Sequence, residues 1–432
     1  MNEHTGTTGT GQPGEVPPDP YAAFWDQRDI LKHIHAYAQA TYVGPWAMLG
    51  VVLARAIAAT DPTLMLYEMI RSRASLNLFV ALCGRSGGGK GLAERGGRDA
   101  VLFDNGGTPV DIEEHSPGSG EGIARLFAEP AVKEEDRPAL RRALLTSSEV
   151  DTLIALGSRQ GSTLMGELRK VYSGEALGFA NANRATRTRV QRDSYRACLL
   201  LGVQYLRAGA LLDDAAGGTP QRFLYLPTTD DYPPEFDPDA VPPDPITVSV
   251  PARSSVGPKY MRTPREMNDE FRRYHHARRC GEPVDEFDGH KMLTRAKVAA
   301  ALAILDGREH VNLDDWKLAG TVIRVSDRTR AEMVAAVAEQ ARKAARARAE
   351  VKATEAVTVD DARHGGEVQR VREGLLRYLE RRGKSSARDL AKSIKFDIRG
   401  HVDLVLADLV NDRILIETGD DKRKFYELAN AQ

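Results

Sequence analysis

Cysteine is scarce. Cys83, Cys198 and Cys280 are spread over 432 residues, and none has the pairwise spacing of a metal site. That excludes a disulfide framework and points to a reducing compartment, the cytoplasm. Cys83 and Cys198 lie inside apolar runs and read as small buried hydrophobes. An excess of charge is missing too: 60 Lys and Arg face 61 Asp and Glu, for a net charge of −1. The chain as a whole is therefore no polybasic coat for nucleic acid, and any nucleic-acid surface must be local. No apolar run approaches the ~18 residues of a membrane span, so no membrane partner is expected. Residues 1–20, rich in Gly, Thr and Pro, lack the apolar segment of a secretory leader and read as a disordered arm. No fixed-period repeat occurs.

What is present is a chain with 42% apolar residues, enough to form a core, and long enough for two or three domains at about 150 residues each. Apolar residues recur at three and four over 21–75, broken once at Gly44-Pro45, as in a helical collar. Leu76 to Gly84 reads as a buried strand. From 76 to 230, apolar runs alternate with helical stretches. Ala143 to Asp151, Arg196 to Gln204 and Phe223 to Thr228 are the clearest further strands. This alternation predicts an α/β domain with a mainly parallel sheet. Residues 231–258, rich in Pro and Asp, read as an exposed connection. Residues 259–350 read as a helical lid, with one helix closed by Gly307 and the next opened by Asp314-Asp315. A linker is expected at 351–365. Residues 366–432 give three helices, with Ser N-cap candidates before the second, then strand, polar turn and strand. That is the element order of a winged helix.

Gly84-Arg85-Ser86-Gly87-Gly88-Gly89-Lys90-Gly91 follows the first strand and opens a helix. Glycines let successive backbone N–H groups curl around a phosphate. Lys90 supplies a positive charge for terminal phosphates, and the helix adds its positive end. The spacing is that of a P-loop, so ATP is the expected ligand, with Mg²⁺ as its companion. Gly91 stands where the metal-binding hydroxyl is usual. A P-loop ATPase needs a carboxylate at a neighbouring strand end to polarise water. Glu149 is the candidate base. Ser148 occupies the usual place of an acidic metal-shell residue, and Asp151 lies two residues beyond Glu149; both are candidates for the metal shell. Glu149 and Asp151 also read as helix caps. Gln204, at a strand end, is a candidate γ-phosphate sensor or a solvated glutamine. Arg222 is a candidate arginine finger for a neighbouring subunit's nucleotide, or an ordinary surface arginine. Arg295 is a candidate second sensor.

With GRSGGGKG, LLTSSEVDTL, KVYSGEALG, RACLLLGVQ and GGTPQRFLYL in this order, residues 45–330 resemble the ATPase core of phage and mobile-element primase-helicases. The lid and winged helix are similar to those of minichromosome-maintenance helicases. The resemblance implies a P-loop (RecA/AAA+-like) core, ring-shaped homo-oligomers (a hexamer expected), ATP hydrolysis between subunits and translocation on single-stranded DNA. No paired-carboxylate primase signature precedes the glycine loop, so priming is not expected. Two other classes stay open: an ATP-switched initiator or helicase loader, and a transcriptional regulator with a vestigial ATPase.

Arg184, Arg187, Arg189 and Arg192 cluster between the second and third strands, beside Asn181 and Asn183. In the resembling helicases such an insertion is a pore hairpin, and basic side chains there grip phosphates without reading sequence. A solvated basic loop is the alternative. In the winged helix, Arg399, His401 and the turn with Lys422, Arg423 and Lys424 are the candidate contacts to duplex origin DNA. The presumptive recognition helix, Asp397 to Arg413, is apolar and acidic in its middle, so only its N-terminal end is suited to DNA. A protein partner is the other reading.

Overall fold

A computed structural model describes residues 20–69, 71–129, 139–179, 188–215, 217–283, 285–420 and 423–429. The expected disordered arm therefore lies outside the described residues, but for residue 20. Two compact units divide the chain, one up to Glu339 and one from Gln340.

The first unit is built on five parallel strands: β1 (Phe79–Gly84), β2 (Glu114–His115), β3 (Arg142–Ser147), β4 (Arg196–Gln204) and β5 (Phe223–Pro227). Their order across the sheet is β2-β3-β4-β1-β5. Because both faces are covered, β1, β3, β4 and β5 read as nearly unbroken apolar runs. Alternate side chains serve different cores. Val80 and Leu82 join Leu200, Leu224 and Leu226 on one face. Phe79, Ala81 and Cys83 join Leu145, Leu199, Leu201 and Tyr225 on the other.

The helices that matter for the site are α1 (Asp29–Ala40), α2 (Pro45–Ala59) and α3 (Lys90–Ala100). Pro45 takes the first position of α2, where its missing N–H costs nothing, and every residue of α2 except Arg55 is buried. Close approach sets this packing. A Cβ on Gly50 would come within 2.6 Å of Leu226, and one on Gly97 within 2.7 Å of Val51. The glycine pair in α3 thus serves helix–helix contact, despite its cost of about 1 kcal/mol per residue in helix propensity. α4 (Leu164–Ser173), α5 (Lys291–Leu305) and α6 (Leu313–Arg382) follow. At the N-terminal edge of the sheet, two buried cations tie segments together. Lys297 of α5 donates to the carbonyls of Asn77 and Tyr172 at 2.6 and 2.7 Å. Arg196 donates to those of Asp61 and Leu64.

Several boundaries differ from the sequence expectation. The strand expected to reach Asp151 ends at Ser147. Glu149 is instead the extended N-cap of a helix, Val150–Gly157, because a Glu-Val-Asp start suits a helix opening better than a strand end. The Pro- and Asp-rich connection contains a strand, Ile246–Ser249, that pairs in parallel with Val101–Asn105. Residues 351–365 are helical within α6 rather than a linker. They hold three Ala but also three Val, two Thr and a Gly, so helix propensity alone does not account for this stretch.

In the second unit, the end of α6 supplies Val371, Leu375 and Leu379 to a core with Leu390, Ile394, Val402, Leu406 and Tyr426. Ser386 caps the helix Ala387–Ser393 by accepting from the Asp389 N–H. The expected third helix begins as a tight 3-10 turn, Phe396–His401, and continues as Val402–Asn411. Leu415–Asp420 and Arg423–Leu428 pair antiparallel, and the latter also pairs with Ser385–Ser386. Among the described residues no helix is long and apolar enough to cross a membrane.

Candidate functional site

The C-terminal ends of the central strands meet at one edge of the sheet. β1 delivers Gly84 beside Gln204 of β4, and Cys83 stands opposite Pro227 of β5. The loop after β1 turns on itself: the Gly88 N–H donates to the Arg85 carbonyl at 3.0 Å. Gly87 and Gly89 have φ of +72° and +80°, left-handed values that glycine adopts without strain. Space above Gly87, Gly89 and Gly91 is open. Arg85 and Ser86 are exposed. The loop runs directly into α3, whose first N–H groups have no helical acceptor. A glycine-permitted turn with open space above it thus leads straight into a helix start, where free backbone N–H groups and the positive helix end occur together.

Lys90 heads α3. Its ammonium donates to the Arg85 carbonyl at 3.0 Å, so the side chain lies folded over the loop. Burial lowers its pKa below the ordinary lysine value, and the charge of Glu149 opposes that shift. The charge of Glu149 is thus felt at Lys90 although the two belong to different segments. The device that allows this is Gly202, which sequence reasoning missed. A Cβ there would collide with the Ser148 carbonyl oxygen and sit 3.4 Å from Cδ of Lys90. We expect Gly202→Ala to force β3 and β4 apart at this edge. Thermal unfolding should report a loss of about 1–3 kcal/mol, the usual weight of overpacking.

Thr228 is a second feature invisible in the sequence. Its N–H donates to the Cys83 carbonyl at 2.8 Å. Its hydroxyl is buried with no hydrogen-bond partner among the described residues. A Cβ on Gly84 would collide with that hydroxyl, and one on Gly88 would lie 3.4 Å from it. Gly84 is glycine because the loop leaves the sheet against Thr228.

Ser148 and Glu149 are exposed at the end of β3, and Glu149 makes no side-chain cap hydrogen bond. Asp151 instead faces Arg207 at 3.6 Å. The carboxylate available beside the loop is therefore that of Glu149. Among the described residues no cluster of three or more His, Cys, Asp or Glu forms a metal cage.

Arg222 and Arg295 stand apart from the loop. Arg222 immediately precedes β5, at the opposite edge of the sheet, five strand residues or about 16 Å away. It donates to the Gly218 carbonyl at 2.5 Å and packs over the Tyr172 ring. These contacts hold Arg222 against its own unit. Arg295 donates to Glu270 at 2.6 Å and to the Trp316 carbonyl at 3.1 Å, with its guanidinium 3.7 Å over the Trp316 ring. These contacts tie helices together.

Of the arginine cluster, Arg184 and Arg187 lie outside the described residues, as do Asn181 and Asn183. The segments flanking them pair. Leu177 bridges Val190 antiparallel, and Phe179 and Thr188 exchange N–H···O bonds of 3.0 and 3.3 Å. Arg189 and Arg192 are exposed at this paired base. Buried Glu167 of α4 accepts from the Gly178 N–H at 3.3 Å and anchors it. In the second unit Lys422 also lies outside the described residues. Arg423 is exposed, and Lys424 pairs with Glu417 at 2.8 Å.

Neither the family models nor the curated proteins compared with this chain give a match.

Proposed function

We propose that this chain is an ATP-hydrolysing motor of the P-loop class that acts on DNA as a homo-oligomer, a helicase in the first reading. The observation that carries the proposal is the convergence of the glycine cradle, Lys90, Glu149 and Gln204 on one sheet edge. In this reading the loop N–H groups and Lys90 bind the β- and γ-phosphates. Glu149 takes the proton of the attacking water. Gln204, level with Gly84, orients that water or the γ-phosphate. A bound Mg²⁺ would be held by the exposed hydroxyls of Ser86 and Ser148 and would supply neutralising positive charge. Support also comes from the strand order β5-β1-β4-β3-β2, which resembles that of RecA/AAA+ cores, and from Arg222, whose distance from its own cradle suits a finger reaching a neighbouring subunit. The second unit has the element order of a winged helix. Its third helix exposes Asp403, Leu404 and Asp408, which gives duplex DNA little to bind.

The paired segments around the arginine cluster support a hairpin that touches single-stranded DNA. Replacing Arg184, Arg187 and Arg189 with Ala is expected to flatten the log–log salt dependence of single-strand binding by roughly 2, at about 0.7 per lost phosphate contact. Basal ATPase activity should persist. Fluorescence anisotropy across a salt series measures it; an unchanged slope would remove the hairpin from the DNA site.

An ATP-switched initiator or loader is favoured by one specific feature, the absence of a hydroxyl at Gly91. Space there is open, so its absence is not enforced by packing. ATP-dependent strand displacement on a forked DNA decides between the two: a helicase separates the strands, a loader hydrolyses little and separates none.

A further inference from the structure

Helix α1 ends in a paired turn. The Val43 N–H donates to the Ala38 carbonyl at 2.9 Å, and the Tyr42 N–H to that of Gln39 at 3.2 Å. This closure needs a left-handed residue at its penultimate position, normally glycine. Tyr42 holds it, with φ of +55°, a strained choice for a bulky aromatic. Core packing does not explain the ring, which is 56% exposed. It lies against Phe236, itself 77% exposed, with ring centroids 5.7 Å apart and planes 30° from parallel. The Tyr42 hydroxyl donates to the Asp237 carbonyl oxygen and fixes the pair.

Thr228 links the segments that carry the two rings to the glycine loop. A Cβ on Gly44 would collide with the Thr228 carbonyl, just as one on Gly84 would collide with its hydroxyl. Tyr42 is thus two residues from a chain segment that abuts the residue supporting the glycine loop. Phe236 lies on the segment that leaves Thr228. Glu235, Asp237 and Asp239 flank Phe236 in sequence. Their charges disfavour phosphate at the rings and leave an uncharged aromatic group as the better fit. The same charges oppose the backbone of a DNA strand.

We propose that Tyr42 and Phe236 form the stacking platform for the base of the nucleotide whose phosphates lie in the glycine loop. The ligand is then a nucleoside triphosphate rather than a bare polyphosphate. The proposal rests on the reading of the loop as a phosphate site. Base–aromatic stacking supplies the affinity, since every base presents a π-face.

The test compares ATP with inorganic tripolyphosphate by calorimetry on the full chain. Tyr42→Gly removes the ring and places glycine where the backbone favours it, so the variant should melt no lower than wild type. Phe236→Ala removes a largely exposed ring and serves as an independent variant. Each is expected to weaken ATP binding about tenfold and to leave tripolyphosphate binding unchanged. Wild-type ATP affinity in both variants, with Lys90→Ala still losing both ligands, overturns the platform and spares the phosphate site. Equal loss of ATP and tripolyphosphate also overturns it, because the rings would then be supporting the loop. A wild-type protein that binds neither ligand overturns the phosphate site and the platform together.

Discussion

Replacing Lys90 with alanine is expected to abolish ATP hydrolysis and to weaken nucleotide binding by roughly ten- to a hundredfold, the weight of a charge-assisted hydrogen bond. The reasoning is local. Lys90 is the first residue of α3, and its ammonium already lies over the loop, on the Arg85 carbonyl. A triphosphate offers it a far better acceptor, and no other side chain of the loop is placed in the same way by its hydrogen bonds. Alanine is a good helix former, so the fold should survive, and circular dichroism with a melting curve checks that. Turnover measured by phosphate release should fall to background. Unchanged turnover in a folded variant would end the assignment of the loop.

The second large effect is at Glu149. Glu149→Gln should retain ATP and hydrolyse it about 10²- to 10⁴-fold more slowly, the usual contribution of a positioned base. The substitution is clean because the Glu149 side chain makes no cap hydrogen bond that the amide would lose. Asp151→Asn is the internal control. It breaks only an exposed pair with Arg207, worth ~0–1 kcal/mol, and should keep full activity. If Asp151→Asn were the inactive variant, the base would have been assigned two residues too early.

The sequence was informative where a single physical constraint dominated. The apolar runs of β1, β3, β4 and β5 are long because both sheet faces are buried, and their cores begin and end close to where alternation predicts. The glycine loop was legible because left-handed backbone at Gly87 and Gly89 needs glycine. So was the closure of α5, where Gly307 has φ of +67°. β2 was not legible: it has two residues, Glu114 and His115, and neither is apolar. The parallel pairing of Ile246–Ser249 with Val101–Asn105 joins segments far apart in the chain, and nothing local records it.

Within the candidate site, Lys90 stood out through the spacing of the glycine loop, and Glu149 as a carboxylate at the expected end of an apolar strand. Gly202 was missed, since a glycine inside an apolar strand looks like a weak position until the Ser148 carbonyl is seen against it. Tyr42 was missed for the opposite reason. Helical periodicity gives no sign that an aromatic residue occupies a left-handed position. Arg295 drew attention as a charge opening an apolar helix. Glu270 and Trp316, which hold it, come from helices on either side in sequence, and only the fold brings them together.

The central claim is that the loop from Gly84 to Gly91 holds a triphosphate. A crystal structure with a non-hydrolysable ATP analogue tests it most directly. The account predicts phosphate oxygens within hydrogen-bonding distance of the Gly87, Gly89 and Lys90 N–H groups, and the Lys90 ammonium moved from the Arg85 carbonyl onto the phosphates. An analogue bound elsewhere, with Lys90 still on the Arg85 carbonyl, would contradict it.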